Sequence, residues 1–300
     1  TDCVKCLSTS MSVNMTISGL VSCIITTYNR PDLVGNAIES VLDQSYINFE
    51  IIVIDDHSSK PYNKIISKYE DYSNIKFFRN EKNIKMSAAR NRGISLSKGD
   101  FIAFLDDDDR WMPEKLEKQV KLLQDNQSYV ACSCCHIESE SKRIIDRGIR
   151  KFTLNDILGF NLLGPPSKII VRKDIFDNVR FCEYAKHAED WDFYLKLLKI
   201  GPIYMIKEPL VIYNTGHFER MTNGFASLTI KDIQVKANMT YKNRALIGEA
   251  NFRRRLAHYY LNGFLQRKSK LSFLFSVISE VGIFTTFSVF VKMTRRKMEK

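Results

Sequence analysis

Four consecutive aspartates, Asp106-Asp107-Asp108-Asp109, follow the apolar run Phe101-Ile102-Ala103-Phe104-Leu105. Carboxylates crowded at the end of a buried segment repel one another unless a cation sits among them. Residues two apart in an extended chain point the same way, so Asp106 and Asp108 would share one ion. A hard divalent cation takes oxygen ligands, commonly one or two carboxylates completed by substrate phosphates. A solvated acidic turn is the alternative reading. A second acidic stretch, Glu189-Asp190-Trp191-Asp192, opens an apolar run through Phe193, Leu195, Leu197 and Leu198. A carboxylate placed there could take a proton from an attacking hydroxyl. Acids in a first helical turn also simply complement the helix dipole.

The elements that must position these acids are legible as an alternation. Residues 101–105, bounded by Lys98-Gly99-Asp100, read as a buried strand, and Pro113 near the next element's start predicts a helix to about residue 126. Earlier strands are expected at residues 21–26, 49–54 and 75–78. Between them fall helices with Leu33, Ala37, Val41 and Leu42 on one face (with Asp32 as cap), at 62–69 and at 86–96. Such alternation implies an α/β protein with a mostly parallel, doubly wound sheet, whose ligands sit beyond the carboxyl ends of the strands. Residues 26–30, 55–59 and 106–109 would then share one edge. The later chain predicts strands at 129–137, 168–171 and 210–213, with a charged loop or edge hairpin at 141–151. The turn Asn161-Leu162-Leu163-Gly164-Pro165-Pro166-Ser167 lies between them. Neither a P-loop nor GxGxxG is present, so a diphosphate would be held by metal and side chains.

The chain of 300 residues is 44% hydrophobic and 26% charged, ordinary for a globular core, with a net charge of +11 that calls for an anionic partner. Seven cysteines cannot all pair internally. Cys132, Cys134 and Cys135 read as buried thiols, and Cys3 with Cys6 is a lone CxxC with weak metal character. Residues 1–20 carry no long apolar core of a signal peptide, so the expected setting is reducing and cytoplasmic. From residue 226 the pattern turns helical. Basic clusters at 253–255, 267–270 and 295–297 flank the 21 residues 271–291. A single helix of that length would match a bilayer core, but Glu280 near its middle argues for lying in the interface of an anionic membrane.

The string VSCIITTYNRP, then FEIIVIDDHSS, then SAARNRGISLSKGDFIAFLDDDDRW resembles the family 2 glycosyltransferases, whose fold is called GT-A, over residues 21 to about 215. The resemblance implies a Rossmann-like GT-A domain with a donor half (21–112) and an acceptor half (113–224), preceded by an extension (1–20). A membrane-associating helical tail (225–300) follows. It implies transfer of a sugar from a UDP-sugar, with inversion, assisted by Mn²⁺ or Mg²⁺. Thr26 and Tyr28 would line the base pocket and Asp56 would accept the uracil N3–H. Lys85 or Arg90 would meet the diphosphate. Asp108 best matches the metal ligand, Asp106 completes the DxD pair and Asp107 would lie near the ribose. Asp190 becomes the general base, with Glu189 or Asp192 orienting it, and Trp191 either stacks on a sugar or packs in the core. His217 and Arg220 fall in a loop that closes over the donor in the family. With the basic tail, the resemblance implies a polyprenyl-diphosphate-linked acceptor and surface polysaccharide assembly such as O-antigen or capsule, at the inner face of the cell membrane. A nucleic-acid-binding protein, a nucleotidyltransferase and a non-catalytic glycan-binding relative are the rival classes. No nucleic acid is expected, because the basic clusters interleave with a bilayer-length apolar run.

Overall fold

The computed structural model describes residues 19–216, 225–267 and 269–298. His217, Arg220, Cys3 and Cys6 lie outside the described residues. The strands are β1 (Val21–Thr27), β2 (Phe49–Asp55), β3 (Ile75–Arg79), β4 (Phe101–Asp106), β5 (Arg110–Trp111), β6 (Ala131–Glu138), β7 (Ile144–Ile145), β8 (Lys151–Phe152), β9 (Ile170–Arg172) and β10 (Ile203–Tyr213). They form one sheet in the order β3-β2-β1-β4-β9-β6-β10-β5, with β7 beside β6 and β8 beside β10. Strands β3, β2, β1 and β4 run parallel, and β6 pairs parallel with β10. β9 is antiparallel to both β4 and β6 and joins the two halves.

Helices α1 (Pro31–Leu42), α2 (Asn63–Lys68) and α3 (Lys85–Leu96) connect the first four strands. Proline at the first turn of α1 supplies the start, and Asp32 sits inside that turn without capping it, against expectation. β1 and β2 are buried on both faces, as continuous β-branched runs in a parallel sheet should be. Gly93 lets α3 lie directly on β1, because a Cβ there would come 2.5 Å from Ile24 Cγ2. That close approach sets the height of Arg90 above the sheet edge.

The chain leaves β1 toward β2 on one side and returns to β4 on the other. The crevice between the carboxyl ends of β1 and β4 is therefore a switch point, the place where such sheets bind ligands. Register pairs Thr26 with Asp106 and Thr27 with Asp55, so the polar segments do share one edge.

The second half carries α4 (Lys115–Asp125), α5 (Leu154–Ile157) and α6 (Glu189–Ile200). β10 begins seven residues before the expected 210–213. Pro209 hides this in sequence: it cannot donate to a ladder, and the register shifts on either side of it. The remaining described residues are helical: α7 (Ile230–Lys236), α8 (Asn238–Lys242), α9 (Arg244–Leu261), α10 (Lys270–Val281) and α11 (Ile283–Met298). Leu256, Tyr260, Val277 and Val289 from these helices share one core with Phe193 and Leu197 of α6. The expected single helix over 271–291 is instead two, bent by 118° at Gly282, whose φ of +86° is outside helical space. The thiols of Cys23, Cys132, Cys134, Cys135 and Cys182 are free and buried.

Candidate active site

Strand β4 ends at Asp106, and a tight turn follows in which Asp109 N–H donates to Asp106 O at 3.1 Å. Alternation of an extended chain therefore stops at Asp106. The turn nevertheless leaves Asp106 and Asp108 partly exposed while burying Asp107 and Asp109. Each acid meets its own partner. Arg90 Nη2 donates to Asp106 Oδ1 at 2.6 Å, and Arg30 Nη1 donates to Asp108 Oδ2 at 3.0 Å. Asp107 accepts from Thr27 Oγ1 at 2.7 Å and from Arg30 Nη1 at 3.2 Å. Asp109 accepts from Ser167 Oγ at 2.6 Å and from the Asn214 backbone N–H at 2.9 Å.

Burial raises the Asp107 carboxyl to about 6, opposed by the Thr27 hydrogen bond and the Arg30 charge. Asp109 is pushed up by burial and then by the Asp106 charge. With 6% of its surface exposed and a hydrogen bond on each oxygen, Asp107 positions Arg30. Asp109 ties the turn to residue 214, just past the end of β10.

Asp55 and Asp56 brace the neighbouring loops. Asp55 pairs with Arg79 Nη1 at 2.6 Å and accepts the Ser58 N–H at 2.9 Å, the turn role that a carboxylate favours. Asp56 is buried and accepts from Asn80 Nδ2 (2.7 Å), Ile84 N (2.8 Å) and Lys85 N (2.9 Å). It thus fixes the entrance to α3. Lys85 holds a left-handed φ of +73° there and is exposed. Thr26 is buried at the edge of β1, whereas Tyr28 stands 48% exposed above it. Of five non-glycine residues with positive φ among the described ones, Asn29, His57, Lys85 and Ala188 all lie at this edge. Backbone held in such space concentrates at functional sites.

Ala188, with φ 61°, turns the chain into α6 so that Glu189 and Asp190 begin the helix. Asp190 Oδ2 accepts from Asn161 Nδ2 at 2.7 Å, and its Oδ1 accepts from the Trp191 N–H at 2.6 Å. Burial, then the Glu189 charge, raises Asp190 to about 7, with Arg90 and Arg255 pulling the other way. Arg90 Nη1 lies 3.7 Å from Glu189 Oε1, so one buried guanidinium links the β4 turn to the start of α6. The loop holding Asn161 and Ser167 reaches the same two places.

At α6 the structure decides between the two readings of Trp191 and leaves Asp192 away from the role expected for it. Trp191 is fully buried, donates from Nε1 to Ile157 O at 2.7 Å and lies under Arg255 at 3.4 Å. It packs in the core and stacks on no sugar. Asp192 is likewise buried and meets Lys196, Lys242 and Asn243 at 2.8–2.9 Å, tying α6 to the tail, away from Asp190. The pattern of acids at a helix start could not separate one turn's inward and outward faces. Sequence reasoning placed residues 26–30 on the ligand edge and 161–167 in a turn but gave Thr27, Arg30 and Asn161 no individual role. Their signal was faint: polar residues at a strand end or in a connecting turn, with no partner visible nearby in sequence.

The acids suit a divalent ion in donor chemistry, since carboxylate oxygens are what hard cations take. Asp106 and Asp108 each already face a guanidinium nitrogen, so the turn is built to hold positive charge. Among the described residues no group of three or more His, Cys, Asp or Glu side chains forms a metal cage. An ion here would therefore draw most of its ligands from substrate phosphate and water.

The sheet order, the acidic turn at the switch point and the second acidic helix start define a GT-A domain. The chain resembles S. aureus TarS in complex with UDP-GlcNAc with a TM-score of 0.65 at 21% identity, covering 87% of this chain and 81% of that one. It also resembles a mannosyltransferase from Pyrobaculum calidifontis in complex with GDP-Man and Mn²⁺, with a TM-score of 0.58 at 15% identity, covering 93% and 81%. Residues 22–180 match the model of "Glycosyl transferase family 2", and the chain belongs to that family. An uncharacterized glycosyltransferase of Haemophilus influenzae is 29% identical over 86% of this chain and 95% of its own length. A putative teichuronic acid biosynthesis glycosyltransferase, TuaG of Bacillus subtilis, is 30% identical over 61% of this chain and 73% of its own. The amylovoran biosynthesis glycosyltransferase AmsB of Erwinia amylovora is 28% identical over 64% and 69%.

Proposed function

We propose that this glycosyltransferase moves a sugar from a UDP-sugar to a hydroxyl of a glycan acceptor, with inversion, in the assembly of a surface polysaccharide. The observation that carries the reading is the Asp190 carboxyl. It is held by Asn161 and raised to about 7, and the adjacent Glu189 faces the Arg90 guanidinium that binds Asp106. A base near neutrality combines the ionised form with useful proton affinity. Asp190 takes the proton of the acceptor hydroxyl as its oxygen attacks the anomeric carbon from the face opposite the nucleotide.

Asp106 and Asp108 would hold Mn²⁺ or Mg²⁺. When bound, the ion supplies Lewis-acid neutralisation of charge on the departing diphosphate. Tyr28, exposed above β1, and Lys85, exposed at the start of α3, would meet the nucleotide. Arg30 is positioned by Asp107 to add positive charge beside that diphosphate. The relatives named for amylovoran and teichuronic acid biosynthesis support a polysaccharide as product. A polyprenyl-diphosphate-linked acceptor fits such assembly.

Titration calorimetry with UDP and Mn²⁺, paired with UDP-release assays over a panel of UDP-sugars and polyprenyl-type acceptors, tests this. Asp190→Asn is expected to keep nucleotide affinity within roughly twofold and lose transfer by at least roughly a thousandfold. An Asn variant that still transfers would overturn the assignment.

A further inference from the structure

The whole positive excess of the chain lies in one place. Residues 225–300 hold fifteen Lys and Arg against four Asp and Glu, which accounts for the full +11, whereas residues 1–224 hold thirty of each sign. Six large apolar side chains stand exposed on the last two helices of this region: Leu271 and Phe275 on α10, and Ile283, Phe284, Phe287 and Val291 on α11. Phe284 is 89% exposed and Leu271 75%. These are not inner faces left uncovered. Val277, Val281 and Val289 already bury the inward side, and Phe273, Leu274, Phe290 and Met293 pack beside them.

Each helix is divided into three sectors. At about 100° per residue, the outward apolar row of α10 (Leu271, Phe275) lies between its core row and a polar row of Ser272, Ser276, Ser279 and Glu280. Glu280 is about 180° around the helix from Leu271. In α11 the row from Ile283 to Val291 lies between the core row and Ser288 with Lys292. The acid that argues against a spanning helix thus sits on the side turned from the apolar row. No single helix among the described residues is long and apolar enough to cross a membrane, and the 118° bend gives a broken pair.

We propose that α10 and α11 dock the protein on the surface of an anionic lipid bilayer, with Leu271, Phe275, Ile283, Phe284, Phe287 and Val291 inserted among the acyl chains. Exposed Lys270 and Lys292 adjoin this surface in sequence and meet the headgroups. Nucleic acid would satisfy the charge but leave six apolar side chains in water, so lipid is the better match to both observations. The proposal stands whether or not the donor is a UDP-sugar. Docking would bring the transfer site to acceptors anchored in the same bilayer.

Flotation of the full chain with phosphatidylglycerol-containing vesicles and with phosphatidylcholine vesicles tests it. Binding is expected to the anionic vesicles, to weaken as salt is raised, and to fall at least roughly tenfold in Phe284→Glu/Phe287→Glu. Both positions are exposed, so that variant is expected to keep the parent's melting temperature and UDP affinity. Lys270→Glu/Lys292→Glu should lose only the preference for anionic lipid. Undiminished flotation of the Phe double variant would overturn the proposal. So would a self-association abolished by that variant without vesicle binding, or salt-sensitive binding to duplex DNA in place of lipid.

Discussion

Arg90 donates to Asp106 at 2.6 Å with only 2% of its own surface exposed. An ion pair buried this far contributes little net stability over an apolar pair, but breaking it leaves an uncompensated charge. The same guanidinium faces Glu189 at 3.7 Å through Nη1, a buried donor without a hydrogen-bond partner among the described residues. Its position matters for geometry: it holds the acidic turn and the start of α6 at one spacing.

Arg90→Met should therefore lower unfolding free energy by about 3–5 kcal/mol. Arg90→Lys keeps the charge but cannot fork toward both acids. Urea melts should show Arg90→Lys losing clearly less stability than Arg90→Met, while its transfer rate falls at least roughly tenfold at unchanged UDP affinity. Equal activity of the Lys variant and the parent would remove the linking role.

The rate of transfer should depend on pH through Asp190. Its pKa is raised to about 7, and the ionised form is the one that accepts the proton. Activity is then lost as pH falls below about 7 and levels off above it. Stability runs the opposite way for this group. The folded state keeps the proton that the unfolded chain releases near the ordinary carboxylate value, so its contribution declines as pH rises toward about 7. Profiles of kcat/KM against pH, alongside melting temperatures, would read both limbs. An ascending limb near pH 4 would show that the base titrates as an ordinary carboxylate and not at the raised Asp190 value.

Trp191 offers a separation of packing from binding. Trp191→Ala is expected to cost about 3–5 kcal/mol, because a fully buried indole leaves a cavity and strands the Ile157 carbonyl. Trp191→Phe should cost less and leave the acceptor KM unchanged, as measured by steady-state kinetics. A raised KM in the Phe variant, at parental stability, would place a sugar on this side chain after all.

How much of this was readable in the chain depends on the range of each interaction. Local patterning announced β1, β2 and β4, since buried parallel strands appear as unbroken apolar runs ending in polar turns. It announced the acidic turn and the acidic start of α6 for the same reason. β10 was cut short because Pro209 reads locally as a stop, and only its ladder partners across a bulge show the strand continuing. The tail read as one helix because apolar composition does not register the left-handed φ at Gly282.

What the sequence determined by itself is the order of strands and helices, the family and the acids that chemistry could use. Tertiary structure alone decided which of those acids are free to act. Asp107, Asp109 and Asp192 are consumed by Thr27, Arg30, Ser167, Asn214, Lys196 and Lys242, and their partners lie from 4 to 105 positions away in the chain. A carboxylate's role is set by what surrounds it, through burial and hydrogen bonding that raise or spend its charge. Those surroundings come together only when the sheet closes β1 against β4 and α6 is laid over their edge.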